Sequence, residues 1–125
     1  MLDKGAKILI VDDMKLIRTA IRKYLTDVGY TNIIEAENGE DAVAKHAAEK
    51  PAFIFLDIVM PKMTGAEALK EIRKTDKTTP IVMLTSVAEK NMIESCRHEG
   101  ILDYAIKPIN KDIGPKLVLD LLAKA

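Results

Sequence analysis

The sequence predicts an α/β fold in which an open, five-stranded parallel sheet carries helices on both faces. Three observations lead there. Apolar runs of strand length alternate along the chain with amphipathic segments of helix length, the order that builds a parallel sheet. Three of the runs, Ile8 to Val11, Phe53 to Leu56 and Ile81 to Leu84, are unbroken, as suits strands covered on both faces. Four of the five runs end on polar residues: Asp12 and Asp13 after the first, Asp57 after the third, Thr85 after the fourth and Lys107 after the fifth. Sheets of this kind bind ligands at the carboxyl ends of their strands.

The first strand is expected near residues 7–11 and the first helix near 14–28. In that helix Met14, Ile17, Ile21, Tyr24, Leu25 and Val28 recur at three- and four-residue spacing and form one apolar stripe. Gly29 then stops the helix as a C-terminal cap. A strand near 32–36 leads to Asn38, an N-cap for a helix near 39–49 whose Glu40 and Asp41 suit the positive end of its dipole. The strand at 53–57 runs into a loop, Ile58-Val59-Met60-Pro61, and Thr64-Gly65 open a helix near 65–75. Pro80 introduces the strand at 81–85. A helix near 88–98 ends at Gly100, and a strand near 103–106 follows. The last helix, near 113–124, has a core stripe of Leu117, Val118, Leu121 and Leu122, with Leu119 off it. Gly114-Pro115 belong to its first turn, with Asp112 as the expected cap.

Composition also suggests strand order. Residues 32–36 and 103–106 mix polar and apolar side chains, as edge strands do, whereas the first, third and fourth strands read as interior. The resulting order, 2-1-3-4-5, is flavodoxin-like, and its switch point between strands 1 and 3 sets Asp12, Asp13 and Asp57 side by side.

The bulk composition narrows the function classes. A chain of 125 residues suits one domain, 1–125, without an output domain. No apolar stretch approaches the roughly 20 residues that cross a bilayer, and Met1 to Ala6 lack a signal-peptide pattern. The one cysteine, Cys96, excludes an intrachain disulfide, suits a reducing cytoplasm and reads as a small buried hydrophobe. Basic and acidic residues both number 19, and this neutral balance argues against direct nucleic-acid binding.

Three carboxylates in one small site repel one another and therefore favour a cation. Oxygen-only ligands suit a hard divalent ion, Mg²⁺ or Mn²⁺, with coordination positions left for a phosphoryl group. Asp12 and Asp13 also fit helix N-capping, and both roles can hold together. Asp57 fits a carboxylate nucleophile that forms an acyl phosphate. Lys107 offers a point positive charge and Thr85 a hydroxyl for the phosphoryl oxygens. His46 and His98 have no ligand partners nearby in sequence and read as solvated or packed helix residues. Met60 and Met63 read as gap fillers beside the site.

The ordered set Ile8-Leu9-Ile10-Val11-Asp12-Asp13, Leu56-Asp57-Ile58-Val59-Met60-Pro61-Lys62-Met63-Thr64-Gly65, Leu84-Thr85-Ser86 and Asp103-Tyr104-Ala105-Ile106-Lys107-Pro108 resembles the receiver domain of two-component response regulators. Within that family it looks most like the single-domain chemotaxis type. The resemblance runs from Lys7 to about Leu122. It implies that Asp57 is the phosphoacceptor, supplied by a histidine kinase's phosphohistidine. It further implies that Asp12, Asp13, Asp57 and the backbone carbonyl of Val59 hold Mg²⁺, and that Thr85 and Lys107 contact the phosphoryl oxygens. Thr85 and Tyr104 would form the switch, and the Lys107-Pro108 bond is expected to be cis. A downstream protein would dock on the face made by helix 4, strand 5 and helix 5, with the protein a monomer or a weak phosphorylation-dependent dimer.

Val59 and Val87 depart from the family pattern. Two side chains that commonly tune phosphate lifetime stand there, and neither valine can orient a water for attack, so a long-lived phosphorylated state is expected. Ile101, Leu102 and Ile109 raise the apolar content around the fourth helix and fifth strand and, with Leu119, suggest a docking or dimer surface. Competing readings are a phosphorelay intermediate, a phosphorylation-independent scaffold and an aspartate-nucleophile phosphatase, which would carry a second Asp where Val59 stands. A flavin-binding protein of the same strand order would need a phosphate-cradling loop where Asp12-Asp13 stand.

Overall fold

The strand order of the sheet is β2-β1-β3-β4-β5, every pairing parallel. The structure is a computed structural model and describes residues 2–125. Along the chain come β1 (Ile8–Val11), α1 (Lys15–Asp27), β2 (Ile33–Ala36), α2 (Gly39–Glu49), β3 (Phe53–Asp57), α3 (Gly65–Arg73), β4 (Ile81–Thr85), a 3-10 segment (Val87–Met92), α4 (Ile93–Arg97), β5 (Asp103–Ile106) and α5 (Gly114–Ala123).

Strand side chains alternate between faces, so each central strand feeds two cores. Ile8, Ile10, Phe53, Phe55, Val82 and Leu84 pack against Ile21 and Leu25 of α1 and Val118, Leu121 and Leu122 of α5. Leu9, Val11, Ile54, Leu56, Ile81 and Met83 pack against Ala42 of α2, Ala68, Leu69 and Ile72 of α3, and Ile93 and Cys96 of α4. Every residue of β1, β3 and β4 is buried, whereas β2 and β5 each bury one. This explains the unbroken apolar runs of the three central strands and the mixed composition of the edges. Each fully buried Leu or Ile stabilises the fold by about 1.5–3 kcal/mol.

Register carries the strand ends to one edge. Val11 pairs with Leu56, which brings Asp12 beside Asp57. Asp57 pairs with Leu84, one residue before Thr85, and Thr85 pairs with Ile106, one residue before Lys107. The start of α3 is pressed against this edge: a Cβ on Gly65 would lie 1.9 Å from the Asp57 carbonyl oxygen, so only glycine fits. Gly29, at φ 99°, ends α1 as expected. The Asn38 side chain accepts a hydrogen bond from the Asp41 amide, and the Lys107–Pro108 peptide is cis.

Several details differ from the sequence reading. The helix expected over 88–98 begins as the 3-10 segment, none of whose residues is buried, and α-helix proper starts at Ile93. Val87, 73% exposed, and the exposed Met92 find no core to anchor a full first turn. Asp112 does not cap α5: the Asn110 side chain accepts from the amides of Asp112 and Ile113 instead. Asp13 does not cap α1, whose N-cap is Met14. Asp12 Oδ1 accepts the Met14 amide at 2.9 Å and takes that share of the work. Ile109 belongs to the interior, where its carbonyl accepts the Tyr24 hydroxyl, and Ile101 and Leu102 pack against the cores. Most of the apolar surplus expected on the outer face is therefore core, leaving Val87, Met92 and Ile106 exposed near α4 and β5.

Candidate functional site

β1 and β3 deliver two aspartates into the interior of the strand-end edge. Asp12 is 0% and Asp57 1% exposed, while Asp13, one residue further out, is exposed. One carboxylate oxygen from each of Asp12, Asp13 and Asp57 lies within 4.8 Å of the others. β5 supplies a cation from the far side of the sheet. Lys107 Nζ donates to Asp57 Oδ1 at 3.0 Å and to Asp12 Oδ2 at 3.1 Å. Its position is fixed through its own amide, which donates to the Thr85 carbonyl at 2.6 Å.

The charges do not balance. Burial, and then the charge of Asp12, push the Asp57 carboxyl up to about 7, with Lys107 acting against them and Asp13 adding to them. Burial pulls Lys107 down, but its bonds to Asp57 and Asp12 outweigh that and leave its pKa raised. Asp57 Oδ2 is buried and has no hydrogen-bond partner among the described residues. An ionised oxygen left this way costs free energy until something positive meets it. Clustered oxygen donors, excess negative charge and an orphaned carboxylate oxygen together fit a hard divalent cation such as Mg²⁺, which receiver domains generally bind at an acidic pocket.

The sheet thus brings together Asp12, Asp13, Asp57 and Lys107, as expected. Thr85 sits at the neighbouring strand end, fully buried, with its hydroxyl donating to the Ser86 carbonyl. Val59 lies in the loop after β3, two residues beyond Asp57. The Tyr104 ring packs along the core on the α4 side, with Lys90 Nζ 6.0 Å and the Arg97 guanidinium 5.8 Å from its centroid. Met60 is buried and Met63 packs on the same core, as expected of gap fillers. His46 is packed rather than solvated and lies 2.8 Å from Asp76.

Sequence reasoning missed the side chain that holds the acidic pair from behind. Arg18 donates to the Asp12 carbonyl at 2.7 Å and to Glu35 at 2.9 Å. Only its position beside the apolar stripe of α1, where a charge must find partners, hints at this in the sequence.

The site can hold a divalent cation, keep a carboxylate nucleophile next to it and meet the charge of an incoming phosphoryl group with an ammonium. Among the described residues no helix is long and apolar enough to cross a membrane.

The family model of the response regulator receiver domain matches residues 8–118. The chemotaxis protein CheY of Listeria monocytogenes is 37% identical over 119 residues, covering 95% of this chain and 97% of that protein. CheY of Bacillus subtilis is 37% identical over 106 residues, 85% of this chain and 88% of that protein. The structure of Vibrio cholerae chemotaxis protein CheY4 superposes with a TM-score of 0.84 at 34% identity, covering 96% of this chain and 98% of that one.

Proposed function

The chain belongs to the response regulator receiver domain family, with chemotaxis regulators among its relatives, and from that premise we propose that it accepts a phosphoryl group on Asp57. Receiver domains are signalling domains of two-component systems, and the proposal concerns how this one takes on and keeps its signal. The observation that carries it is the Asp57 carboxylate, with one oxygen on Lys107 and the other without a partner among the described residues.

In the proposed step an Asp57 oxygen attacks the phosphorus of a histidine kinase's phosphohistidine. The new O–P bond forms as the P–N bond breaks, and the departing imidazole nitrogen keeps the electron pair. Asp12, Asp13, Asp57 and the Val59 carbonyl would hold Mg²⁺, which when bound offsets the charge of the carboxylates and of the phosphoryl oxygens. Lys107 shifts from carboxylate to phosphoryl oxygen as charge builds there, and the Thr85 hydroxyl supplies a further donor once it leaves the Ser86 carbonyl. An apolar pocket of about 180 Å³, lined by Leu16, Ile17, Ala20, Ile21 and by Pro108 and Ile109, which directly follow Lys107 in the chain, offers a phosphodonor protein an apolar contact. Leu16, 75% exposed, stands at its rim.

The phosphorylated aspartate carries about −1.5 to −2 charges near pH 7 and biases two packings of Thr85, Tyr104 and the α4–β5–α5 face, through which the signal passes to a cytoplasmic protein target. The phosphoryl group is long-lived, because Val59 and Val87 place no polar side chain able to align a hydrolytic water.

Incubation with acetyl phosphate and Mg²⁺, read by intact mass, tests the central step. Wild type gains one phosphoryl group and Asp57→Ala gains none; equal modification of both would refute the reading. Phosphate loss is then timed in wild type and in a Val59→Asn, Val87→Glu double variant. The double variant decays distinctly faster, and similar decay in both would remove the valines from the account.

A further inference from the structure

Asp13 is the exposed member of the acidic group, so where its carboxylate sits depends on the main chain that carries it. That main chain is held from the β2 side. The carbonyl of the Asp12–Asp13 peptide accepts from Arg18 Nη1 at 2.7 Å, and the Asp12 amide donates to the Ala36 carbonyl at 3.2 Å. Arg18 belongs to the first turn of α1, and its side chain is only 12% exposed. Its Nε donates to Glu35 Oε1 at 2.9 Å, while Arg22 Nε donates to Glu35 Oε2 at 2.6 Å. Burial raises the Glu35 carboxyl, but the bonds and charges of the two arginines overcome that and hold it lowered, so it stays ionised. Lys45 Nζ bonds the Glu35 carbonyl. A planar guanidinium with two acceptors at fixed angles has little freedom left, and neither does the peptide it grips.

We propose that Arg18 is a positioning residue: clamped by Glu35 of β2, it fixes the Asp12–Asp13 peptide and so preorganises both carboxylates for a divalent cation. The inference rests on the cation-binding part of the proposed function. Its sign sets it apart from simple electrostatics. Arg18 is itself a cation near the site, so by Coulomb's law alone its removal strengthens cation binding. Positioning requires the opposite. Partners that orient metal ligands from behind typically matter by about 10–100-fold in affinity. A peptide held also by sheet hydrogen bonding places Arg18 at the low end of that range.

The test is calorimetric titration of Mg²⁺ into wild type, Arg18→Met, Arg18→Lys and Arg22→Met, with urea unfolding of each. Arg22 shares Glu35 but does not touch Asp12, so Arg22→Met removes a nearby charge while the Arg18 bonds to Asp12 and Glu35 remain. Arg18→Met binds Mg²⁺ about five- to tenfold more weakly, Arg18→Lys recovers part of the loss, and Arg22→Met loses clearly less than Arg18→Met; an equal loss in both overturns the direct role of Arg18. Should Arg18→Met fail to fold, Glu35→Gln loosens the clamp without removing the cation and weakens binding about two- to threefold. Amide exchange at Asp13 and Met14, followed by NMR without metal, is faster in Arg18→Met or Glu35→Gln than in wild type. Mg²⁺ affinity equal to or above wild type in the Arg18 or Glu35 variant overturns the positioning role. Wild type that binds no Mg²⁺ overturns the cation-binding reading, and unchanged amide exchange alongside it overturns the clamp as well.

Discussion

Asp57 and Asp76 are both shielded carboxylates beside cations, yet the fold treats them in opposite ways. Asp76, in the loop between α3 and β4, accepts from the amides of Thr78 and Thr79 at 3.0 Å, from the Thr79 hydroxyl and from His46 Nε2 at 2.8 Å. Burial raises its pKa, but the bonds from His46 and Thr79 outweigh burial and hold it well below the ordinary carboxylate range. Beside it the buried Arg73 donates to the carbonyls of Asp76, Thr79 and Gly100, tying the starts of β4 and β5 together. At the other edge of the sheet Asp57 has, among the described residues, one donor, a neighbouring Asp12 and a bare oxygen, and it is pushed up to about 7. Desolvation raises the pKa of both, more fully at Asp57, which is 1% exposed against 20% for the Asp76 side chain. Donors outweigh desolvation at Asp76, whereas at Asp57 desolvation and the charge of Asp12 outweigh the single donor and leave it wanting a ligand.

The comparison breaks most sharply at Arg73. Arg73→Ala removes a buried guanidinium from three part-buried carbonyls and should cost about 2–3 kcal/mol in urea unfolding, while uptake of phosphate from acetyl phosphate by the folded fraction stays normal. A loss under about 1 kcal/mol would mean that this edge is not the satisfied one.

Asp57→Asn should act in the reverse direction. Without metal at pH 8 it should stabilise the protein by about 2 kcal/mol and abolish phosphorylation. A tenfold change in proton affinity is worth roughly 1.4 kcal/mol, and local relaxation reduces the sum. The folded-state pKa of Asp57 lies above the unfolded value of about 3.9, so the folded state binds more protons between these values. Wild-type stability therefore falls from this group as pH rises from about 4 to about 7. The advantage of Asp57→Asn grows across that window and is small below it.

Asp76→Asn should show the mirror image. The folded pKa of Asp76 is depressed, so its contribution is present above about pH 4 and lost as pH falls below that. Unfolding at pH 7 should show a cost of about 1–2 kcal/mol, shrinking in acid. Parallel slopes for the two asparagine variants would remove the contrast.

The smallest effect belongs to backbone conformation. Lys62, in the loop beside Asp57, and Lys50, at the end of α2, hold φ of 70° and 48°. Lys62→Gly and Lys50→Gly should each gain about 0.5–1 kcal/mol in thermal unfolding. A gain at Lys50 with a loss at Lys62 would mark the loop by Asp57 as built around its side chain rather than its backbone.

Much of this was legible in the sequence. Unbroken apolar runs against mixed ones gave the interior and edge strands, hence the order β2-β1-β3-β4-β5. Strand-end polar residues then placed Asp12, Asp13, Asp57 and Lys107 in one group. Relations set by side-chain reach across elements were not legible. Arg18 meets Glu35 only because α1 crosses beside β2, and His46 meets Asp76 only because α2 packs near the loop before β4. No periodicity encodes either meeting. Ile109 failed for a related reason: its place in the interior depends on Tyr24, 85 residues away, rather than on its neighbours. Asn110 displaced Asp112 as the source of capping bonds because an Asx side chain serves amides two and three residues on, and that geometry favours the earlier residue.

The contact of Gly65 with the Asp57 carbonyl divides the mutational landscape around the site into two kinds of forbidden ground. A library randomised at position 57 should return folded chains with small polar replacements that lack the proposed phosphoacceptor, whereas one randomised at position 65 should return few chains that assemble the loop at all. Screens for folded protein should therefore weigh most heavily on the glycine, and screens for phosphate uptake should detect both. Any engineering of the loop between them must leave that one backbone contact untouched, while the exposed side chains of Val59, Pro61 and Lys62 stay open to redesign.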